Sequence, residues 1–219
     1  MHTLIQLKDI TKYYQNGKVR NLVLDRFSYD FRDNCFTVLA GPSGSGKSSL
    51  LNILATLDYP NEGTYLFEGA AVNFTRKRQL TEMRKQNFGF VFQSFNLIPV
   101  LSALENVELP LTLFPDSAGQ RKEMAEKALL LVGLKDKLKS RPDEMSGGEQ
   151  QRVAIARAIA RSPKIVFADE PTANLDKRNA IHIIDLMQHL NADERVNFII
   201  ASHDDKVIQA GKEVLLLGE

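Results

Sequence analysis

The chain is short of the features that would take it out of the ordinary globular class. It has a single cysteine, Cys35, among 219 residues, so no intramolecular disulfide forms and nothing asks for an oxidising compartment. Excess charge of one sign is missing too. The 28 Lys and Arg stand against 27 Asp and Glu, a net charge of +1, which argues against a broadly basic nucleic-acid binder while leaving room for a local patch. No apolar run approaches the ~18 residues of a bilayer-spanning helix, and Met1 to Asp9 holds no unbroken apolar core of signal-peptide size. Internal repeats and low-complexity tracts are absent. The remainder is 43% hydrophobic and 25% charged, ordinary globular values. At about 150 residues per domain, the length suits one large domain or a domain with an inserted subdomain. The expectation is a soluble, cytoplasmic, one-chain domain.

Periodicity divides the chain. Leu4-Ile5-Gln6-Leu7 and Leu22-Val23-Leu24 flank a turn at Gln15-Asn16-Gly17-Lys18, and Tyr29-Asp30-Phe31 runs into another at Arg32-Asp33-Asn34, the marks of short antiparallel strands. Phe36-Thr37-Val38-Leu39-Ala40 is a continuous β-prone run, suited to a strand buried on both faces of a parallel sheet. From Lys47 the period becomes helical, marked by Leu50, Leu51, Ile53, Leu54 and Leu57 and stopped near Asp58-Tyr59-Pro60. Gly63 to Gly69 and Phe88 to Phe92 read as short strands. The middle is mostly helical. Ser117 and Gln120 make a capping-box pattern, Met124, Ala125, Ala128, Leu129 and Val132 follow at helical spacing, and Gly133 ends the helix. A second helix runs from Ser146-Gly147-Gly148 to about Arg161. Ile165 to Ala168, Phe198 to Ala201 and Val214 to Leu217 read as strands, with a helix from Ala180 to Leu190 between the first two. This order predicts an α/β core within a single domain, 1–219, that carries an N-terminal antiparallel β subdomain and a helical insertion at about 95–160.

The densest chemistry lies in Gly41-Pro42-Ser43-Gly44-Ser45-Gly46-Lys47-Ser48, which fits G-x-x-x-x-G-K-[ST] with a strand before it and a helix after it. Glycines let such a backbone wrap a phosphate chain, with successive N–H groups facing inward at a helix N-terminus. Lys47 is then placed for the β- and γ-phosphates and the Ser48 hydroxyl for Mg2+. A glycine-rich turn without a ligand does not account for the flanking strand and helix, so the pattern implies a nucleoside-triphosphate site. Ile165-Val166-Phe167-Ala168-Asp169-Glu170 delivers an acidic pair at a strand's C-terminal edge, where open α/β sheets bind ligands. Alone, the pair reads as a solvated turn. Beside a phosphate loop, Asp169 becomes a Mg2+ ligand, directly or through water, and Glu170 the group that orients and deprotonates an attacking water. Met145-Ser146-Gly147-Gly148-Glu149-Gln150 before a long helix is a second anion-binding terminus, so the nucleotide is expected to be gripped from two sides.

In this order the motifs resemble those of the nucleotide-binding subunits of ATP-binding-cassette (ABC) transporters, over essentially the whole chain. The resemblance identifies Gln93 in Val91-Phe92-Gln93-Ser94 as the Q-loop glutamine and Ser146 to Gln150 as the signature. It makes Ala173-Asn174-Leu175-Asp176 the D-loop and His203 in Ala201-Ser202-His203-Asp204 the switch histidine, with Tyr14, or its neighbour Tyr13, as the aromatic that stacks on adenine. It implies a P-loop NTPase fold with an ABC-ATPase core, ATP hydrolysis, and ATP and Mg2+ as cofactors. Lys47, Glu170 and His203 are the catalytic residues it implies. Nucleotide contacts fall to Tyr14, Gly41, Pro42, Ser43, Gly44, Ser45, Gly46, Lys47, Ser48, Ser49, Gln93, Ser146, Gly147, Gly148, Glu149 and Asp176, and Mg2+ to Ser48, Gln93 and Asp169. It also implies a head-to-tail homodimer, a transmembrane partner subunit, and a place on the cytoplasmic face of the inner or plasma membrane. The signature reads Met-Ser-Gly-Gly-Glu where the family often has Leu-Ser-Gly-Gly-Gln, and Ala173-Asn174 precedes Leu-Asp in the D-loop; neither departure touches an essential group. Leu80 to Arg84, Phe92 to Pro99, Leu104 to Leu111 and Asp169 to Asp176 are similar to the lipoprotein-releasing and macrolide-exporting branch, which implies export, or lipoprotein release and force transmission.

Other features read as packing or surface. His182, Asp185 and His189 share one helical face, opposite Ala180, Ile181, Ile183, Ile184, Met187 and Leu190, and read as solvated rather than as metal ligands. Cys35 reads as packed, Arg76-Lys77-Arg78 as a surface loop, and Arg152, Arg157 and Arg161 as surface residues paired with nearby acids. The apolar stretch Ser94 to Leu101 either packs the helical insertion or forms a groove for a short helix of the membrane subunit. A soluble ABC-type ATPase acting on DNA or ribosomes is the alternative function. A single cassette and no sustained heptad repeat stand against it.

Overall fold

A computed structural model of the chain describes residues 2–17 and 19–218. In chain order they form β1 (Thr3–Asn16), β2 (Val19–Arg32), β3 (Phe36–Ala40), α1 (Lys47–Leu54), β4 (Glu62–Phe67), β5 (Ala70–Ala71), α2 (Lys77–Asn87), β6 (Phe88–Val91), α3 (Ala103–Glu108), α4 (Ala118–Leu131), α5 (Gly147–Ile159), β7 (Ile165–Asp169), α6 (Lys177–Asp193), β8 (Asn197–Ala201), α7 (Asp205–Ala210) and β9 (Glu213–Leu216). Short 3-10 turns lie at Leu109–Leu113, Lys135–Lys137 and Pro142–Glu144. The chain divides into two compact units, Met1–Lys85 with Ile199–Glu219, and Gln86–Phe198.

In the first unit an antiparallel sheet has the order β2-β1-β4-β5. Ile5 lies opposite Phe31 and Tyr14 opposite Asn21, while Leu7 faces Tyr65 of β4. The sequence marks short strands here, but β1 and β2 are each 14 residues long. Register shifts between Leu7 and Tyr13 and a left-handed Asp9 with φ 51° interrupt the alternation without ending the pairing, as bulges do. The expected hairpin turn sits between the two strands; its Lys18 lies outside the described residues. β3 is buried at every position and pairs in parallel with β9, Val38 opposite Val214, the setting an all-apolar strand requires. It leads into the glycine loop and α1, which buries Leu50, Leu51, Ile53 and Leu54. That helix ends at Leu54, short of Leu57, with the Leu54 carbonyl accepting from the Tyr65 hydroxyl at 2.9 Å. Arg76-Lys77-Arg78 is not a loop throughout: Lys77 and Arg78 open α2, whose described burial rests on Leu80 alone.

In the second unit β6 and β7 pair in parallel, Gly89 opposite Val166. Helices α3, α4 and α5 pack on one another, and α5 also packs on β6 and α6. Capping boxes open all three, Ser102 with Glu105, Ser117 with Gln120 and Ser146 with Glu149, each satisfying two otherwise orphaned N–H groups. α6 buries Ala180, Ile183, Ile184, Met187 and Leu190. Ile181 is exposed beside His182, so the apolar stripe is narrower than the sequence suggests. Among the described residues no His, Cys, Asp and Glu cluster that could hold a metal occurs, and no helix is long and apolar enough to cross a membrane.

Candidate nucleotide site

In the first unit the chain leaves β3 at Ala40 and turns through Gly41 to Gly46 into α1. Gly46 caps that helix at φ 93° with no side-chain cap bond, and a Cβ there would meet Val23 Cγ1 at 2.9 Å. Conformation and space both demand glycine. The helix end is therefore covered by no capping side chain and presents its first-turn N–H groups to an anion. Lys47 is only 7% exposed, and a buried ammonium needs partners. It donates to the carbonyls of Gly41 and Pro42 at 2.8 and 2.9 Å, neutral acceptors that a phosphate oxygen would outcompete. The buried Ser45 hydroxyl in the same loop has no hydrogen-bond partner among the described residues.

Tyr14, near the end of β1, donates its hydroxyl to Asp58 Oδ2 at 2.9 Å, and the same hydroxyl lies 3.2 Å from Ser49 Oγ of α1. Tyr13 points to the other face of the strand and carries the Arg20 guanidinium over its ring. Of the two tyrosines, Tyr14 is the one tied to the helix of the glycine loop. His203 is exposed in the loop between β8 and α7, and Ser202 N–H bonds the Leu39 carbonyl at 3.1 Å, which sets that loop against the end of β3.

The second unit holds the other site residues. β7 buries Ile165 to Ala168 and ends at the half-buried Asp169. Glu170 follows with φ 46°, immediately before Pro171. A non-glycine residue there is rare in the left-handed region, and such strain collects where the aim of a side chain matters. At the start of α5 the Ser146 N–H and hydroxyl both donate to Glu149 Oε2, at 2.8 and 2.9 Å, and Glu149 N–H donates to Ser146 Oγ at 3.3 Å. The carboxylate closes the box as a glutamine would and also accepts Lys137 at 3.2 Å. The hydrogen bonds from Ser146 and then Lys137 hold Glu149 below the usual carboxylate range. Asp176 caps α6, accepting Arg178 N–H and Asn179 N–H at 3.0 Å and Asn179 Nδ2 at 2.6 Å.

Gln93 is exposed after β6, and its carbonyl accepts Asn174 Nδ2 at 2.9 Å, which joins the expected Q-loop and D-loop. Phe95 and Asn96 are both left-handed, φ 58° and 49°. Their carbonyls accept the Arg157 guanidinium at 2.8 and 2.5 Å. Arg157 is thus no surface partner of an acid: the carbonyls draw it inward, and burial lowers its pKa. Arg161 does pair with Asp116 and lies over the Phe114 ring. Sequence reasoning missed Arg157 and Asn174 as site-shaping residues, because their partners are carbonyls, which leave no mark on side-chain pattern.

The sequence pattern of the ABC transporter family matches residues 24–173. An uncharacterized ABC transporter ATP-binding protein of Thermotoga maritima is 43% identical over 211 residues, 96% of this chain and 90% of the relative. The macrolide export ATP-binding/permease protein MacB of Bdellovibrio bacteriovorus is 40% identical over 214 residues, 98% of this chain and 32% of that longer protein. The dimeric post-hydrolysis structure of the ATP-binding cassette MJ0796 bound to ADP and Pi is similar with a TM-score of 0.87 at 38% identity, covering 98% of this chain and 94% of that one. With its glycine loop, acidic strand end and capped signature helix, the chain belongs to the ATPases of the ABC transporter family, in the branch that contains the macrolide exporters.

Proposed function

We propose that the chain is the ATP-hydrolysing subunit of an ABC transporter of the macrolide-exporting or lipoprotein-releasing type, acting as one domain over 1–219 with a helical subdomain at about 95–160. The observation that carries this reading is the glycine loop, a helix end at Gly46 with no side-chain cap bond and a buried Lys47 hung on the loop's own carbonyls. Phosphate oxygens take over as partners of Lys47 and of the N–H groups from Ser43 to Ser49, and adenine stacks on Tyr14.

Mg2+ suits the donor set: one hydroxyl (Ser48), one carboxylate (Asp169) and one amide (Gln93) are the few oxygen ligands this ion takes when phosphates and water complete its shell. Held by these residues, the ion would offset the negative charge of the triphosphate. Glu170 accepts the proton of the water that attacks the γ-phosphorus, the bond to the β–γ bridging oxygen breaks, and ADP and phosphate leave. Lys47 offsets charge on the leaving oxygen and His203 hydrogen-bonds the transferred group. The family resemblance supports these roles, and the left-handed backbone of Glu170 supports its own.

Each chain has one glycine loop and one Ser146-Gly147-Gly148 terminus, and the family resemblance supports their meeting across a head-to-tail homodimer, the signature of one subunit capping the γ-phosphate on the other. A transmembrane subunit receives the work and keeps the ATPase at the cytoplasmic face of the membrane. The exposed Ile98 and Val100 supply apolar anchors for its short helix. In the test, Glu170→Gln binds ATP, hydrolyses it about 10²–10⁴-fold more slowly, and accumulates as an ATP-bound dimer by light scattering. Unchanged turnover removes Glu170 as the base. A folded Lys47→Ala chain that hydrolyses ATP at the wild-type rate removes the glycine loop as the site.

A further inference from the structure

We infer that Lys12 and Asp58 are positioning residues for adenine recognition: they fix the Tyr14 ring against α1, close one of its faces and leave the other for the base. The inference rests on Tyr14 being the stacking residue of the proposed function. Lys12 is 3% exposed, a burial lysines accept only when fully partnered. Its Nζ donates to Asp58 Oδ1 and to the Tyr59 carbonyl, both at 2.9 Å. The same ammonium stands 4.7 Å from the centroids of both the Tyr14 and Tyr59 rings, within cation–π range of each. Asp58 divides its oxygens. Oδ1 accepts Lys12 and the Tyr59 N–H at 2.8 Å, and Oδ2 accepts the Tyr14 hydroxyl.

Three consequences follow for Tyr14. Its hydroxyl is anchored at Asp58 and lies beside Ser49, next in sequence to the Mg2+-ligand candidate Ser48, so ring and phosphate loop share one helix as their reference. An ammonium holds one ring face, so a base has only the opposite face to stack on. Tyr14 as a whole is still 40% exposed, as a residue that receives a base from solvent must be. The hydrogen bonds from Lys12, the Tyr59 N–H and Tyr14 outweigh the burial that opposes ionisation and hold Asp58 below the usual carboxylate range, so the anchor is charged at neutral pH. A purely structural role, tying β1 to the segment after α1, would show as a general loss of stability and of phosphate binding. A positioning role shows only in the part of the affinity that depends on the base.

The experiment compares affinities of the full chain for ATP and for inorganic tripolyphosphate, both with Mg2+; their ratio isolates the base. Tyr14→Ala is expected to abolish the preference for ATP. Tyr14→Phe and Lys12→Met are expected to lower it by about two- to twelvefold, the cost of ordering one freed side chain on binding, with tripolyphosphate affinity unchanged. Tyr14→Phe removes one partly exposed hydroxyl and decides the matter if Lys12→Met does not fold. If Tyr14→Ala loses the preference while Tyr14→Phe and Lys12→Met keep it, the inference falls and the stacking role stands. A parallel fall in ATP and tripolyphosphate affinity also overturns it. If Tyr14→Ala keeps the preference, Tyr14 does not stack on the base and both fall.

Discussion

Gly147→Ala and Gly148→Ala, adjacent changes in the signature, are expected to act by different physics. A Cβ on Gly147 would find Leu175 Cδ2 at 3.4 Å and Asn174 O and Phe95 Cζ at 3.9 Å, ordinary contacts inside its own unit. Alanine also costs the unfolded chain less entropy, so the fold should gain up to ~0.5–1 kcal/mol. A Cβ on Gly148 would sit 2.7 Å from Asn179 Oδ1 and 2.9 Å from its Cγ. The Asn179 amide cannot simply swing away, because its Nδ2 is bonded to the Asp176 carboxylate at 2.6 Å. Breaking a bond to a charged acceptor costs ~1.5–3 kcal/mol; set against the helix gain, Gly148→Ala should lose about 1–2 kcal/mol. At roughly 2–4 °C per kcal/mol for a chain of this size, thermal melting of the nucleotide-free protein should fall by about 2–8 °C for Gly148→Ala and hold or rise for Gly147→Ala. In the Glu170→Gln background, Gly147→Ala should nonetheless stay monomeric with ATP, since in the proposed head-to-tail dimer its methyl stands where the partner's γ-phosphate meets the helix terminus. A wild-type melting point for Gly148→Ala, or a drop of several degrees for Gly147→Ala, refutes the packing argument. An ATP dimer formed by Gly147→Ala refutes the phosphate contact.

Arg157→Met should strip the Phe95 and Asn96 carbonyls of their donor and lower stability by ~1–3 kcal/mol, read from the urea midpoint, with new protease cleavage between Gln93 and Pro99. Burial pushes the Cys35 thiol up to about 12; the folded chain thus holds that proton more tightly than the unfolded one, and stability intact below pH ~9 should be lost as pH rises toward 12. Cys35→Ala should flatten that alkaline decline, and native protein at pH 8 should resist thiol reagents that label it in urea. Ile98→Glu should leave basal ATPase activity in place and abolish co-purification with the membrane subunit; a collapse of ATPase with the partner retained means that Ile98 only packs the helical insertion.

Legibility followed the distance over which each feature is determined. The strand and glycine loop from Phe36 to Gly46, the start of α1 and the capping box at Ser117 are set by residues within a few positions of one another, so type and place are legible there, whereas the end of α1 at Leu54 falls short of the apolar pattern that runs on to Leu57. α2 could not be read: with Leu80 its buried residue it has no apolar stripe, and its basic start looks like a loop. The hairpin of β1 and β2 was read as fragments because its bulges break a period of two. What separates Tyr14 from Tyr13 is a contact with Ser49, 35 positions away, and Arg157 reaches back 61 positions to Asn96. Such contacts are products of the fold and have no local signature.

The Q-loop shows how a magnitude settles which residues own a geometry. Left-handed backbone costs about 1–2 kcal/mol per residue, so Phe95 and Asn96 together oppose their turn by ~2–4 kcal/mol, somewhat less for asparagine. Two hydrogen bonds from a guanidinium contribute ~1.5–3 kcal/mol each, enough to offset that strain. The turn therefore holds its shape because α5 supplies Arg157, while Asn174, four residues beyond Glu170, holds the Gln93 carbonyl at the other end. A segment clamped at both ends by the signature helix and the D-loop cannot reorient without breaking bonds to one of them. Gln93, the loop that follows Glu170 and α5 are in this way bound into one mechanical element. A double-mutant cycle between Arg157→Met and Asn174→Ala, read on urea stability, should give a coupling energy of at least ~0.5 kcal/mol. Strict additivity would mean that the two clamps act on independent pieces of chain.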